Sequence, residues 1–283
     1  MAVLAEGWYI DGEPLENHAV YIESRDGWDD TPEVRGDDVE LLGRHGRRFR
    51  RKKYGPGRKT LAVAVHGVDE AGLVPEAGSA QRARYERNLD ALIRVFSVRH
   101  RPLLVQRVHA DGSRRQAECE VTSALTPAVT GNTYGLMSVE FSVPGSFWED
   151  VDPQTYTLPY DVAAGGAQSL EVFSLQGQTG YCGDAVVTIT GPCTTVAVRD
   201  HETGRGFAYG ALTLGQSLVV DAGAFTATVA AANVLTDLIP DDAQLLEVGP
   251  APQTYRGPLV DVTTTGAAAG FSVTFQTQRK WLR

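Results

Sequence analysis

Cysteine is scarce in this 283-residue sequence, and long apolar runs are missing from it. The cysteines Cys119, Cys182 and Cys193 are odd in number and none stands at metal-ligand spacing from another, which argues against a disulfide scaffold. No window is long and apolar enough to span a bilayer, and the first residues lack the basic and apolar regions of a secretory signal. We therefore expect a protein that is made and folded in cytoplasm without membrane insertion.

Motifs of catalysis and of metal or cofactor binding are also missing. The histidines include no pair four residues apart and no His-Glu-x-x-His arrangement, so a zinc hydrolase is not expected. Residues 55–60 resemble half of a phosphate-binding loop, but Arg58 stands where that motif needs glycine, and a predicted strand follows. Ser146 lacks the flanking residues of a nucleophile elbow. We expect no enzymatic activity, no metal and no cofactor.

Glycine, threonine and valine are plentiful, which favours β structure. A chain of this length usually forms two domains, each with its own core. Residues 152–169 are rich in proline and glycine and are typical of a connection between domains. We place the first domain at residues 1–157 and the second at residues 158–283.

Hydrophobic periodicity predicts the elements of both halves. In the first half, helical spacing predicts one helix over residues 79–96. Alternation and turn residues predict a short hairpin over 8–24, a strand over 61–66, a long hairpin over 103–121 and a strand over 137–143. In the second half, short strands separated by turns favour a β-sandwich; they are predicted at 169–174, 185–190, 195–199, 206–209, 217–221, 224–230, 244–248 and 269–276.

Charge is unevenly distributed along the chain, although the net charge is only −9. Residues 41–66, the basic arm, hold nine of the 26 Lys and Arg residues, and residues 1–40 hold 12 carboxylates. Three interpretations of the arm stay open: a solvated loop, a grip on phosphates, or a contact with the acidic segment 26–40 of a neighbouring subunit. The third makes these residues candidates for an oligomer interface: Arg44, Arg47, Arg48, Arg50, Arg51, Lys52, Lys53, Asp29, Asp30, Asp37 and Asp38.

Several segments in a fixed order carry a resemblance to a known family. They are Trp8-Tyr9, Gly27-Trp28-Asp29-Asp30, Gly43-Arg44-His45-Gly46-Arg47, the strand at 60–65, and Phe147-Trp148-Glu149-Asp150. With the helix and the long hairpin between them, they resemble the distal tail proteins of long-tailed bacteriophages with non-contractile tails. The resemblance covers nearly the whole chain, and its motifs are diffuse.

The resemblance implies a mainly β protein with an N-terminal β-sandwich or split barrel, one helix and a long hairpin, followed by a C-terminal galectin-like β-sandwich. It also implies a structural virion protein, assembled in the host cytoplasm, that forms a homo-hexameric ring at the tail tip. The ring would join the tail tube protein to tail-tip or tail-associated adsorption proteins and surround the passing genomic DNA without sequence-specific binding. We expect the hairpin at 103–121 and its flanking strands to extend a neighbouring subunit's sheet.

Two alternatives belong to other classes of protein. The second domain could be a carbohydrate-binding module that recognises host cell-wall saccharides, for which exposed aromatic rings are the feature to seek; alternation places most aromatic residues of 170–280 in the core. The chain could also be a tail tube protein, which shares the first domain's sandwich, but the second sandwich disfavours this.

Overall fold

The computed structural model describes residues 5–36, 39–40, 47–48, 52–69, 71–75, 78–98, 100–131, 133–240, 245–251 and 256–283, with only the backbone at 39–40 and 47–48. The chain divides into two compact units: residues 1–148 with 282–283, and residues 149–281. Both units consist mainly of antiparallel strands, so the prediction of a mainly β fold is confirmed.

The first unit contains one helix and twelve strands within its described residues. Their bounds are β1 (Gly7–Ile10), β2 (Glu13–Pro14), β3 (Val20–Asp26), β4 (Val34–Arg35), β5 (Val39–Glu40), β6 (Arg47–Arg48), β7 (Lys53–Tyr54), β8 (Gly57–His66), α1 (Gly78–Phe96), β9 (Leu103–Val108), β10 (Arg114–Val121), β11 (Pro127–Thr130) and β12 (Tyr134–Val143). The helix, the hairpin β9–β10 and the strands β8 and β12 confirm the corresponding predictions.

The main sheet of the first unit has the strand order β2-β1-β9-β10-β12-β8-β3, and β11 also pairs with β12. Strand β10 pairs with β9 over most of its length and with β12 at its last two residues, so it connects the strands β2-β1-β9 with the strands β12-β8-β3. The prediction of a hairpin over 8–24 is wrong in its pairing. β1 turns back onto β2 through Asp11 and Gly12, whereas β3 pairs with β8.

Aromatic side chains fill the core of the first unit. Trp28 is fully buried, and its ring lies 4.8 Å from that of Trp8, 5.5 Å from Trp148 and 5.6 Å from Phe141. Phe96 of α1 joins this cluster at 5.8 Å from Phe141. The helix therefore packs on the same core as the sheet. Burial of these large rings stabilises the folded first unit.

The second unit contains the remaining strands, apart from β13, which begins at the last residue of the first unit. Their bounds are β13 (Trp148–Asp150), β14 (Gln154–Thr157), β15 (Gly166–Glu171), β16 (Val186–Thr190), β17 (Thr195–Asp200), β18 (Gly206–Tyr209), β19 (Ser217–Asp221), β20 (Thr226–Val229), β21 (Ala232–Asn233), β22 (Ile239–Pro240), β23 (Leu259–Thr265), β24 (Ser272–Thr277) and β25 (Lys280–Trp281). Short 3₁₀ helices lie at Phe173–Leu175 and Leu235–Asp237.

Two sheets make the second unit a β-sandwich. One has the order β14-β24-β16-β19-β20-β21, the other β15-β23-β17-β18-β22, and a single buried apolar cluster is built from both. Strand β23, which lies between β15 and β17, was not predicted. Residues 245–248 form no strand, although Val248 makes one bridge to Cys182.

The position of β14 bears on the proposed domain boundary after residue 157. All four residues of β14 pair with β24, so residues 154–157 belong to a sheet of the second unit. Residues 282–283, in turn, group with the first unit. The boundary of two separately folding domains stays a prediction.

Candidate assembly surface

The acidic segment and the basic arm are paired with each other by two short antiparallel ladders. β4 pairs with β7, which sets Arg35 opposite Lys53, and β5 pairs with β6, which sets Glu40 opposite Arg47. We define this feature, β4 to β7, as the charged ribbon. Part of the acidic segment therefore lies beside the basic arm of its own chain.

The candidate interface residues fall into three groups. Arg44, Arg50, Arg51, Asp37 and Asp38 lie outside the described residues. Arg47 and Arg48 are placed as strand β6 by their backbone. The described side chains are those of Lys52 and Lys53, which are exposed near the base of the ribbon, and of Asp29 and Asp30, which lie in the turn after β3. Their role in an interface stays a prediction.

The base of the charged ribbon is fixed to the first unit. The Gly55 N–H donates to the Glu33 carbonyl at 2.7 Å, and the Ser146 hydroxyl donates to the Gly55 carbonyl at 2.8 Å. The Tyr54 ring meets the Phe147 ring edge to face at 5.5 Å. These contacts hold the base of the ribbon in place within the first unit.

Like charges face each other at this base. Arg35 and Lys53 are direct cross-strand partners, and both side chains are exposed. Like charges directly opposite in an antiparallel pair are destabilising. Carboxylates from another molecule would relieve this repulsion, so the base of the ribbon is chemically suited to an acidic partner.

Asp29 has partners within its own chain. Its Oδ1 accepts a hydrogen bond from Arg107 Nη1 at 2.9 Å, and its Oδ2 lies 3.9 Å from Arg25 Nε. The Arg107 hydrogen bond is the main reason that the pKa of Asp29 lies below its usual value. The Asp29 side chain is still 58% exposed, so one surface of this carboxylate remains accessible.

Lys59 belongs to the basic arm by sequence, but it is buried. Its Nζ donates to the backbone carbonyls of Gly27 and Asp30, and burial lowers the pKa of its ammonium group. Trp28 Nε1 donates to the Thr60 carbonyl at 2.8 Å in the same turn. The burial of Lys59 was not predicted, because Gly55-Pro56-Gly57-Arg58 precede it without any apolar alternation.

The long hairpin was expected to extend a neighbouring subunit's sheet, but its first strand is not at an edge of the main sheet. β9 pairs with β1 on one side and with β10 on the other, so it cannot extend a neighbour's sheet, and that prediction is wrong for this strand. Within the described chain, β2 and β3 end the strand order. β3 has seven residues and offers the longer edge, with Tyr21 40% exposed.

The described residues contain no group of His, Cys, Asp and Glu placed to hold a metal ion. The three cysteines are free and buried, and burial raises the pKa of the Cys119 thiol to about 12. A thiol in such a setting is not a nucleophile at neutral pH. Among the described helices, none has the length and apolar composition needed to cross a membrane.

Comparison with solved structures identifies the fold. The Dit protein (gp 19.1) of phage SPP1, described as a paradigm of the hub adsorption apparatus in phages that infect Gram-positive bacteria, aligns over 98% of this chain and 100% of its own, with a TM-score of 0.63 and 11% identity. At that identity the similarity shows the fold alone. The chain therefore has the fold of a phage distal tail, or hub, protein.

Weaker similarities involve two structures of the phage P2 baseplate in its activated conformation, one with calcium and one with strontium. They align over 98% and 97% of this chain and 98% of theirs, at 9% identity, and their TM-scores of 0.38 are too low to support a conclusion. No protein-family model and no curated protein matches the sequence.

Proposed function

We propose that this protein is a structural component of a phage tail tip that assembles into a homo-hexameric ring. The observation that carries the proposal is the fold, which matches the SPP1 Dit protein along the whole of both chains, including both units. A tail tube protein would not need the second sandwich, so the two-unit organisation favours the tip.

Two features of the first unit support assembly through its surface. Strand β3 ends the main sheet, and its outer edge can accept a strand from a neighbouring copy. The charged ribbon sets Arg35 opposite Lys53 and Glu40 opposite Arg47, so a head-to-tail contact can set the basic residues of one copy against carboxylates of the next. Copies joined by such a contact close into a ring when the rotation between neighbouring subunits is a whole fraction of a full turn.

In this proposal the ring joins the tail tube protein to the adsorption proteins of the tip. It surrounds the path of the genomic DNA, and its contacts with DNA are independent of sequence. The protein acts by assembly and not by catalysis. It is a virion component that is assembled in the host cytoplasm.

Size-exclusion chromatography with light scattering tests the oligomeric state. We expect a species of about six times the 30.5 kDa chain mass at low ionic strength. The same sample in about 1 M salt should lose mass if charged contacts hold the ring, because the screening length falls to about 3 Å. A single species of one chain mass at high protein concentration and low salt would contradict the proposal.

A further inference from the structure

A cavity of about 510 Å³ lies in the first unit, between the strands β1 to β3 and the helix α1. The buried side chains that line it are apolar: Ile10, Leu15, Val20 and Leu92. Its size is well within the range of ligand pockets. The first unit therefore offers an apolar interior that is built entirely from its own residues.

One wall of the cavity is an apolar surface of α1 that is in contact with solvent. Val95, in the last turn of the helix, is 38% exposed, and Ala91, one turn earlier, is also exposed. Both residues line the cavity. Single exposed apolar residues are common on protein surfaces, but these two border a concave apolar site, which suits an apolar side chain of a partner.

Charge around the cavity favours a cationic partner. The lining includes the carboxylates of Asp11, Glu13 and Asp69 and one arginine, Arg94. Arg101 pairs with Asp11 at 2.7 Å, which leaves one carboxylate in excess. The C-terminal turn of α1 also borders the cavity, and the free carbonyls at such a helix end carry partial negative charge. The site therefore combines an apolar interior with a negative rim.

Two segments of this chain can supply an apolar side chain to such a cavity on another copy. Leu73 and Val74 are 65% and 62% exposed, but the surrounding residues 69–76 include three carboxylates, which a negative rim would repel. Phe49 of the basic arm, in contrast, stands in the sequence between two pairs of arginines, at 47–48 and 50–51. An aromatic anchor with basic flanks complements both the apolar interior and the charge of the rim.

We propose that this cavity receives Phe49 of a neighbouring copy, so that each subunit holds the basic arm of the next. The inference rests on the proposed ring and names the contact that closes it. The ring of Phe49 occupies the apolar interior, and the arginines beside it meet Glu13 and the carbonyl end of α1. The cavity and the arm are different surfaces of one chain, so the contact is head-to-tail, as a cyclic assembly requires.

Light scattering of the full chain over a range of protein concentrations tests this contact. Phe49→Ala removes the anchor, and Ala91→Arg places a bulky cation at the wall of the cavity. Ala83→Arg is the matched control, because Ala83 is another exposed alanine of α1 that does not line the cavity. Phe49→Leu keeps an apolar anchor. The circular dichroism spectrum and thermal unfolding midpoint of each variant check that it is folded.

We expect the wild type, Ala83→Arg and Phe49→Leu to form the ring at similar protein concentrations. Phe49→Ala and Ala91→Arg should need about tenfold more protein or higher, since a buried aromatic anchor usually carries much of the binding energy of an interface. If these two variants assemble as Ala83→Arg does, this contact is overturned while the ring itself stands. A wild type that stays at one chain mass overturns both.

Cross-linking tests which chain supplies the arm. Arg50→Cys and Glu13→Cys are combined in one chain, which keeps Phe49 and the apolar interior, and a short bismaleimide joins the two thiols. The three native cysteines are free and buried, and each single substitution controls for their reaction. We expect covalent multiples of the 30.5 kDa chain, up to six. A link confined to one chain, or no link, overturns the inference that a neighbouring copy supplies Phe49.

Discussion

At the scale of single residues, two buried lysines stabilise the two units in different ways. Lys59 gives its hydrogen bonds to neutral backbone carbonyls, and burial lowers the pKa of its ammonium group. Burial also acts to lower the pKa of Lys280. The carboxylates of Asp184 at 2.5 Å and Glu149 at 2.6 Å outweigh this effect, so the pKa is raised. Lys280 therefore stays charged and neutralises two carboxylates of the second unit.

Replacing Lys280 by methionine keeps its length but leaves those carboxylates without their cation. We expect the free energy of unfolding to fall by about 2–4 kcal/mol, near the lower end for buried pairs because Asp184 is 42% exposed. Urea denaturation measures the change. The control is Arg82→Met, which removes an exposed pair with Glu86 and should change stability by about 0.5 kcal/mol or less. Equal losses in both variants would contradict this account of Lys280.

His201 gives the second unit a pH-dependent contact. Its Nδ1 lies 2.9 Å from Asp261 Oδ1, and this hydrogen bond, with the attraction of the carboxylate, raises the pKa of the imidazole above its usual 6.5. A raised pKa means that the stabilisation is full below the unfolded-state pKa and is lost as pH rises through the folded-state value. The wild type should therefore exceed His201→Gln in thermal midpoint at about pH 5 and match it at about pH 9. A difference that does not change with pH would rule out the ion pair.

At the scale of elements, α1 is positioned by one close approach to the sheet. The fully buried Tyr85 ring reaches β12 at Gly135, where an added Cβ would lie only 2.1 Å from the tyrosine hydroxyl. That hydroxyl has no hydrogen-bond partner in the described chain. The side chain of Asn88 ties the helix to the end of β8, donating to the His66 carbonyl at 2.8 Å.

Gly135→Ala should force the helix away from the sheet and lower the free energy of unfolding by about 1–3 kcal/mol, the usual range for overpacking. Tyr85→Phe removes the clashing oxygen, so the double variant should recover part of this loss in denaturant unfolding. Gly78→Ala is the control, because a Cβ there meets nothing within 4 Å and alanine favours the helix. If Tyr85→Phe gives no recovery, the close approach does not position the helix.

The elements that the sequence predicts well are those with clear periodicity. The apolar stripe of α1 and the apolar alternation of β12 can be seen in the local sequence, whereas β23 has no such pattern. In Leu259–Thr265 the last three residues are threonines, of which Thr264 is buried, so the strand lacks a clear apolar alternation. Strand pairing is harder to predict than the strands themselves. β3 pairs with β8, which is some forty residues away in the sequence, and the burial of Lys59 depends on that pairing. The cavity between β1 to β3 and α1 likewise follows from tertiary packing alone.

At the scale of the whole molecule, the two features that bear on assembly are the two-unit fold and the charge of the ribbon. The fold aligns with a phage hub protein over the whole of both chains. The ribbon sets Glu40 opposite Arg47, and its base sets Arg35 opposite Lys53. We propose that neighbouring copies satisfy this charge, which makes assembly sensitive to its sign.

Reversing the charge of Arg47, Arg48, Arg50 and Arg51 with glutamate should abolish the ring and leave both units folded. The expected readout is a species of one chain mass in light scattering, with an unchanged far-ultraviolet circular dichroism spectrum. The matched control replaces the same four arginines by lysine, which keeps the charge and should keep the ring. A ring that survives the glutamate substitutions would instead make contact with passing DNA the next candidate for the arm.

The most direct measurement for the central claim is negative-stain electron microscopy of the purified wild-type protein at low ionic strength. We expect class averages of a ring with six-fold symmetry and a central opening. The opening should be wide enough for a DNA duplex to pass through it. Fields of separate single chains, or open filaments without closure, would contradict the proposal that this protein is a ring at the tail tip.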